Sequence, residues 1–406
     1  MTGRVPPMSE RVSASRLALL AGLAALGALA TNIMLPAFPD MAKALDVGPR
    51  DLAWTLSSFF IAFALGQLIV GPVTDAIGRS TPVLVGLGVF AVGSLVCALA
   101  PTLPVLIVGR VIQALGACAT AVLARAIARD LYAGPALTHA LSLVMIAMAA
   151  APGFSPMLGA ATTFWFGWRA TFVLVLGAAL LLAAHFLLRS GETLPQDLRR
   201  PLRPGHIVRT YRALLGDRRF IAPALTVSLM IGCLYTFFGA APAILMAEVG
   251  LSAAGLSVFF AATVFLVFGS GLAGPRLARR WGAAKAGMAG VVIALAGGLG
   301  LLAGAEAMSP LPFMGAVTIF LLGMGLINPI GTAITLEPFG AHAGMASALL
   351  GFLQMACAAV GTALIGLLPF GPVTGCAIVI AGGCALATLM FAPVVLDGLK
   401  STGTTH

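Results

Sequence analysis

Arg110 lies inside an apolar run, four residues after Leu106, three before Gln113 and six before Gly116. A helix rises about 1.5 Å per residue, which puts this guanidinium about 9 Å from the nearer end of its run. Arginine at such depth costs at least roughly 2.5–3.5 kcal/mol to insert, so a chain retains it where the cation has a task. The chemistry it offers is binding of an anionic or carbonyl-rich substrate; the plain alternative is a structural arginine satisfied by helix carbonyls and Gln113. Asn32, Gln113, Tyr235, Thr236 and Asn328 are further polar side chains at the middle of their runs, and Phe237 adjoins Tyr235. Polar side chains at such depth are candidate binding groups. Gln67 and Gln354 read equally well as cavity groups or as interhelical hydrogen-bond partners.

A second constellation is charged. In Gly71-x3-Asp75-x2-Gly78-Arg79 the glycines permit a tight turn between two helices, and Asp75 and Arg79 are free to pair with neighbouring helix ends. Arg125, Arg129 and Asp130 are the expected partners. A third is conformational: in Ala151-Pro152-Gly153-Phe154-Ser155-Pro156-Met157-Leu158-Gly159 the prolines interrupt backbone bonds, so Pro152, Gly153, Pro156 and Gly159 mark a bend. Proton carriage requires a titratable group inside the membrane. No Asp or Glu occupies the middle of any run: Asp40, Glu248 and Glu306 lie near outer ends and Glu337 near an inner one.

Enzyme chemistry has no foothold. No HExxH, GxSxG or P-loop pattern occurs, and His139, His185 and His342 lie near run ends, with His206 and His406 in a linker and a tail. The six cysteines (Cys97, Cys118, Cys233, Cys357, Cys376, Cys384) sit in apolar runs without CxxC spacing and read as packing residues. Neither a metal nor a cofactor is expected.

The elements that position these residues follow from composition. Of 406 residues 60% are hydrophobic and 9% charged, against about 25% charged in soluble proteins, so the bilayer is the solvent. Apolar runs lie near 17–38, 52–73, 82–101, 104–127, 139–162 and 169–188, and again near 221–246, 254–275, 284–305, 311–335, 343–368 and 371–396. The expected fold is an all-α membrane protein with twelve transmembrane helices in two six-helix bundles. Its parts are a tail (1–16), a bundle (17–189), a solvated linker (190–220), a second bundle (221–396) and a tail (397–406).

Arg4, Arg11 and Arg16 before an apolar run, with Ala28-Leu29-Ala30 in it, imitate a signal peptide, but that run is long enough to span. With both termini cytoplasmic, only Lys43, Arg50 and Arg169 of the 23 Lys and Arg fall outside and Arg110 falls in the membrane, as the positive-inside rule requires. The net charge of +10 is thus topological, and no extended basic face suggests nucleic acid. Trp54, Trp165, Trp168 and Trp281 are expected interfacial anchors. The Gly71–Arg79 loop recurs weakly as Pro275–Gly282 in the same place of the second half; a parallel six-helix repeat is a transporter architecture.

The Gly71–Arg79 motif resembles the helix 2–3 loop motif of the major facilitator superfamily, and Leu106-x3-Arg110-x2-Gln113-x2-Gly116 looks like a second motif of that family. The Pro152–Gly159 pattern is similar to the antiporter motif of its drug-exporting members. Together with Leu35-Pro36-Ala37-Phe38-Pro39 and Arg125-Ala126-Ile127-Ala128-Arg129-Asp130-Leu131, these resemble the Bcr/CflA branch of drug-resistance transporters over residues 30–170. The second half matches in hydropathy and length.

The resemblance implies a secondary active transporter of the bacterial inner membrane that exports a small organic solute or drug by alternating access. It also implies that the cluster around Asp75 and Arg79 latches the cytoplasmic side in the outward-open state. The helices of Asn32, Arg110, Tyr235 and Asn328 are those that line the family's central cavity. Where that branch typically has an acid before Leu-Pro-Ala, this chain has Asn32, which sits at nearly the depth of Arg110 and leaves proton coupling without its usual carrier. Two alternatives follow: a facilitator or importer of an anionic metabolite or vitamin without proton coupling, and a sensor on the same fold without flux. Copper import, known among relatives near this branch, is not expected, because Met230 is followed four residues later by Leu234 and the eighth run lacks His and Met. The expected partners are a small-molecule substrate, lipid and, as a candidate coupling ion, protons, with the chain acting as a monomer.

Overall fold

The computed structural model describes residues 13–48, 51–199, 202–305 and 310–403; Arg4, Arg11, Arg50, Glu306, His406 and the ends of both tails lie outside them. Among the described residues the chain is helical without strands. The first half holds α1 (Ala14–Asn32), α2 (Phe38–Leu45), α3 (Ala53–Ile77), α4 (Ser80–Leu99), α5 (Leu103–Leu131), α6 (Gly134–Phe166) and α7 (Arg169–Arg189). After a linker with α8 (Pro204–Gly216) come α9 (Arg218–Ala241), α10 (Ala253–Trp281), α11 (Ala283–Ala303), α12 (Pro310–Leu336), α13 (Ala343–Leu367) and α14 (Pro372–Gly403). Eleven described segments are long and apolar enough to cross a membrane, and α6, bent by 40° at residue 149, makes a twelfth. This is the twelve-helix membrane fold expected from hydropathy.

Two bends have identifiable causes. Pro36 and Pro39 carry no N–H, so the carbonyls of Asn32 and Leu35 lose their helical donors. α1 therefore stops at Asn32, and a short tight turn through Leu35–Ala37 carries the same span into α2. In α6, Pro152 cannot donate to the Met148 carbonyl, and the axis breaks beside that position.

Helix packing repeats six spans later. In the first half α4 packs on α5 and α7, and α1 on α5 and α6; in the second α11 packs on α12 and α14, and α9 on α12 and α13. The halves meet along α3 with α13 and α6 with α10. The loop repeat is also geometric: Gly78 after α3 has φ +102° and Gly282 after α10 has φ +84°, turns that glycine adopts without steric cost.

One expectation is corrected, and the linker holds an element of its own. The linker contains an amphipathic helix: Leu214 of α8 is buried with Phe220, Ala224, Ala346, Leu349 and Leu350, and Tyr211 packs against the same cluster. Trp168 is no interfacial anchor; it is buried, with the Arg169 guanidinium 4.2 Å from its ring centroid, while Trp54, Trp165 and Trp281 are exposed. Arg169 also donates to the Ala100 carbonyl at 3.0 Å, tying α7 to the α4–α5 turn.

Candidate functional site

Arg110 is fully buried, and the chain supplies it with backbone oxygens in place of a carboxylate. Nη1 donates to the Ala30 carbonyl at 3.1 Å and to Gln113 Oε1, and Nε donates to the Thr55 carbonyl at 3.3 Å. The Phe59 ring centroid lies 4.2 Å from Cζ, a cation–π contact. Ala30 belongs to the last turn of α1, where the proline-induced break leaves the negative end of a helix dipole inside the bundle. That end is the counter-charge the sequence does not display. Gln113 is held in turn, donating to Ser94 Oγ at 2.8 Å, which donates to the Phe90 carbonyl at 2.8 Å. Nη2 of Arg110 has no partner in this conformation.

Asn32 makes its hydrogen bonds within α1. Its Nδ2 donates to the Ala28 carbonyl at 2.8 Å and to Thr31 Oγ1 at 3.3 Å, closing onto its own helix. Asn32, Arg110, Gln113 and Phe237 are all buried, and the structure joins only Arg110 with Gln113. Phe237 packs on Phe259 of α10 with centroids 5.9 Å apart, and Asn328 is half-buried in α12. Tyr235 of α9 meets Phe60 of α3 across the halves, centroids 4.7 Å apart. Ser57 Oγ and Thr362 Oγ1, 2.8 Å apart, make a second contact between halves near that end. These contacts close the end of the bundle opposite the basic loops.

At the basic end a cavity of about 780 Å³ separates α3 and α5 from α8 and α13. Gln67, Thr74, Asp75, Arg125, Arg129 and Arg203 contribute polar wall, with His206, Tyr211 and Ser347. Tyr211 donates to the Leu68 carbonyl at 3.2 Å, and burial pushes its pKa up to about 12. Arg125 and Arg129, expected partners of the charged turn, line this wall beside Asp75, whose ion pair is with Arg79.

The charged turn is a network within the first half. Arg79 Nη1 lies 2.7 Å from Asp75 and Nε 2.8 Å from Asp130. Burial pulls the Arg79 pKa down, but hydrogen bonds to Asp130 and Asp75 outweigh it and leave the pKa raised. Glu192, unremarked in the sequence beyond its place in the linker, completes the network: Oε1 accepts from the Arg79 N–H at 2.8 Å and Oε2 from the Ser80 N–H at 3.3 Å. A carboxylate at the start of α4 suits the helix dipole. Burial raises the Glu192 pKa, and the backbone donors of Arg79, Leu194 and Ser80 together with Arg199 overcome that and hold it below the usual carboxylate range. Thr193 Oγ1 donates to Asp130 at 3.2 Å. A Cβ on Gly78 would strike Glu192 and Arg199, so this glycine serves both turn and contact.

The α6 residues face two neighbours. A Cβ on Gly153 would meet Val264 of α10 at 2.9 Å, and one on Gly159 would overlap the Ile33 carbonyl at the α1 break. Gly153 thus lies on the seam between halves, and Gly159 seats α6 on the element that supplies acceptors to Arg110.

The family model of the Major Facilitator Superfamily matches residues 20–362. The chain is 32% identical over 370 residues, 89% of this chain and 90% of the relative, to the uncharacterized MFS-type transporter YdgK of Bacillus subtilis. It is 30% identical over 367 residues (88% and 85%) to a chloramphenicol resistance protein of Pseudomonas aeruginosa. Against multidrug resistance protein D of Escherichia coli the identity is 28% over 368 residues (89% and 91%). The fold is similar to that of a D-xylose-proton symporter, with a TM-score of 0.74 at 14% identity over 93% of this chain and 96% of that one. Matched over most of its length and built on the six-span repeat, the chain belongs to the major facilitator superfamily of transporters and resembles its Bcr/CflA drug-resistance branch.

Proposed function

We propose that the chain is a secondary active transporter that exports a small organic solute or drug across the bacterial inner membrane by alternating access, with both termini and the basic loops cytoplasmic. The observation that carries this reading is the asymmetry of the bundle. A cavity large enough for a drug-sized ligand lies between the halves at the basic end, while Ser57 with Thr362 and Phe60 with Tyr235 close the other. Relatives named for chloramphenicol resistance and multidrug resistance support a drug-like substrate. Arg110, Gln113 and Asn32 enter as the polar centre that a substrate meets when the halves rock, with Tyr235, Phe237 and Asn328 on the opposite half. The test is flux of labelled chloramphenicol in proteoliposomes without ATP: concentration against a gradient with an imposed ion gradient supports the reading, and binding without flux would support a sensor.

One observation favours a second reading in which transport is not proton-coupled: among the described residues no Asp or Glu is buried. Flux insensitive to an imposed pH gradient would select that reading, a facilitator or importer of an anionic metabolite.

A further inference from the structure

The cavity at the basic end is walled by guanidinium groups without acids to match. Arg125 and Arg129 stand four residues apart on α5, and Arg203, just before α8, and His206 in its first turn line the same space. Like charges at this spacing repel on a helix. Asp75 is the carboxylate in that wall, and Arg79 already holds it at 2.7 Å. Among the described residues, Arg125, Arg129 and Arg203 form no ion pair. Topology accounts for arginines at this end of the bundle, but not for their convergence from two elements on one walled space.

We propose that this cavity is an oxyanion site, taking a phosphate-type group between Arg125 and Arg129 on one side and Arg203 and His206 on the other. The site is distinct from the Arg110 centre and lies on the basic wall of the cavity read above as the solute's space, so it rests on that reading. Guanidinium groups suit such a ligand through forked, charge-assisted hydrogen bonds. Its two walls come from different parts of the bundle: α5 belongs to the first half, whereas α8 is anchored on α9 and α13 of the second through Leu214 and reaches the first through the Tyr211 bond to the Leu68 carbonyl. A bound oxyanion therefore bridges the halves and holds the basic end in the present arrangement, as an effector rather than cargo.

Inorganic pyrophosphate is the probe, titrated into the purified full chain in phosphatidylcholine nanodiscs, with sodium chloride at equal ionic strength as reference. The expected result is a saturable rise in Tm beyond that of chloride. R125Q and the exposed R203Q should each weaken the midpoint roughly tenfold or more, and the double variant R276Q/R279Q, with twice the charge loss but outside the cavity, should leave it unchanged. No rise beyond chloride, or an equal rise in R125Q and R203Q, would overturn the proposal. Repeating the titration in phosphatidylglycerol discs separates the sources. A rise that persists there assigns the site to a soluble oxyanion. A rise that vanishes, with phosphatidylglycerol retained in native mass spectra by the wild type and not by R125Q/R203Q, assigns it to a lipid headgroup.

Discussion

Arg110 draws its acceptors from three places: the last turn of α1, the first turn of α3 and Gln113 on its own helix. Removing it strands the Ala30 carbonyl at the α1 break and Gln113 Oε1 in a dry interior, where each unsatisfied group costs about 1–3 kcal/mol, while the Thr55 carbonyl keeps its helical donor. Arg110→Ala should therefore abolish flux and lower the Tm of the purified protein, whereas Gln113→Leu, which keeps both carbonyl contacts, should keep measurable flux; the readouts are proteoliposome uptake and a thermal melt. The cost of an arginine at that depth is legible in the sequence. Its partners are not, because Ala30 and Thr55 contribute main-chain oxygens that every residue type carries. Asn32 offers the complementary experiment. Its side chain sits in the turn that feeds Arg110 but bonds its own helix, so Asn32→Asp places a group able to carry a proton beside the α1 break. Flux in that variant should respond more steeply to an imposed pH gradient than wild-type flux does, measured in the same vesicles at two internal pH values.

At the scale of elements, the bent α6 depends on one missing side chain. A Cβ at Gly159 overlaps the Ile33 carbonyl, while one at Gly177 in α7 meets nothing within 4 Å. Overpacking against backbone costs about 1–3 kcal/mol or more, and Gly→Ala at a helix position with room for the methyl gains up to about 1 kcal/mol. Gly159→Ala should lower the Tm and Gly177→Ala should hold or raise it, compared in one set of melts. The glycine-and-proline pattern announces a bend in sequence but not which helices the two glycines touch, since that depends on partners distant along the chain. α8 was concealed for another reason: its apolar positions Ile207, Tyr211 and Leu214 have helical spacing but stand among arginines, so composition reads as solvated linker. Glu192 ties that linker to the charged turn and yields a pH prediction. Its pKa is lower folded than unfolded, so its contribution is present above the ordinary carboxylate value near 4.3 and is lost as pH falls through the folded value. Amide exchange at Arg79, Ser80 and Leu194 should accelerate below about pH 4 relative to the bundle interior, and Glu192→Gln should show faster exchange already at pH 7.

Across the whole molecule, the spans were legible because lipid demands long apolar runs. The helices exceed those runs at several ends, as where α5 extends through Arg129 and Asp130 and α10 through Trp281, since polar residues at the membrane surface remain helical. The repeat was legible in one loop pair and is structural in every helix contact described above. The conformational state was not, because both states of an alternating bundle share one hydropathy pattern. The state described here closes the end where α3 meets α9 and α13, through Phe60 with Tyr235 and Ser57 with Thr362. Residues 57 and 362 come from opposite halves, and their hydroxyl oxygens are 2.8 Å apart, so cysteines there lie within reach of a disulfide. In the double variant S57C/T362C, oxidation should lock that end shut and stop flux, and reductant should restore it. Each single variant should be indifferent to oxidant, because five of the six native cysteines are buried. Substrate offered from the basic side should still bind the oxidised protein, since the cavity lies beyond the cross-link. Flux that continues at full rate in protein shown by mass spectrometry to be cross-linked would mean that the halves need not separate there, and the alternating-access reading would fail.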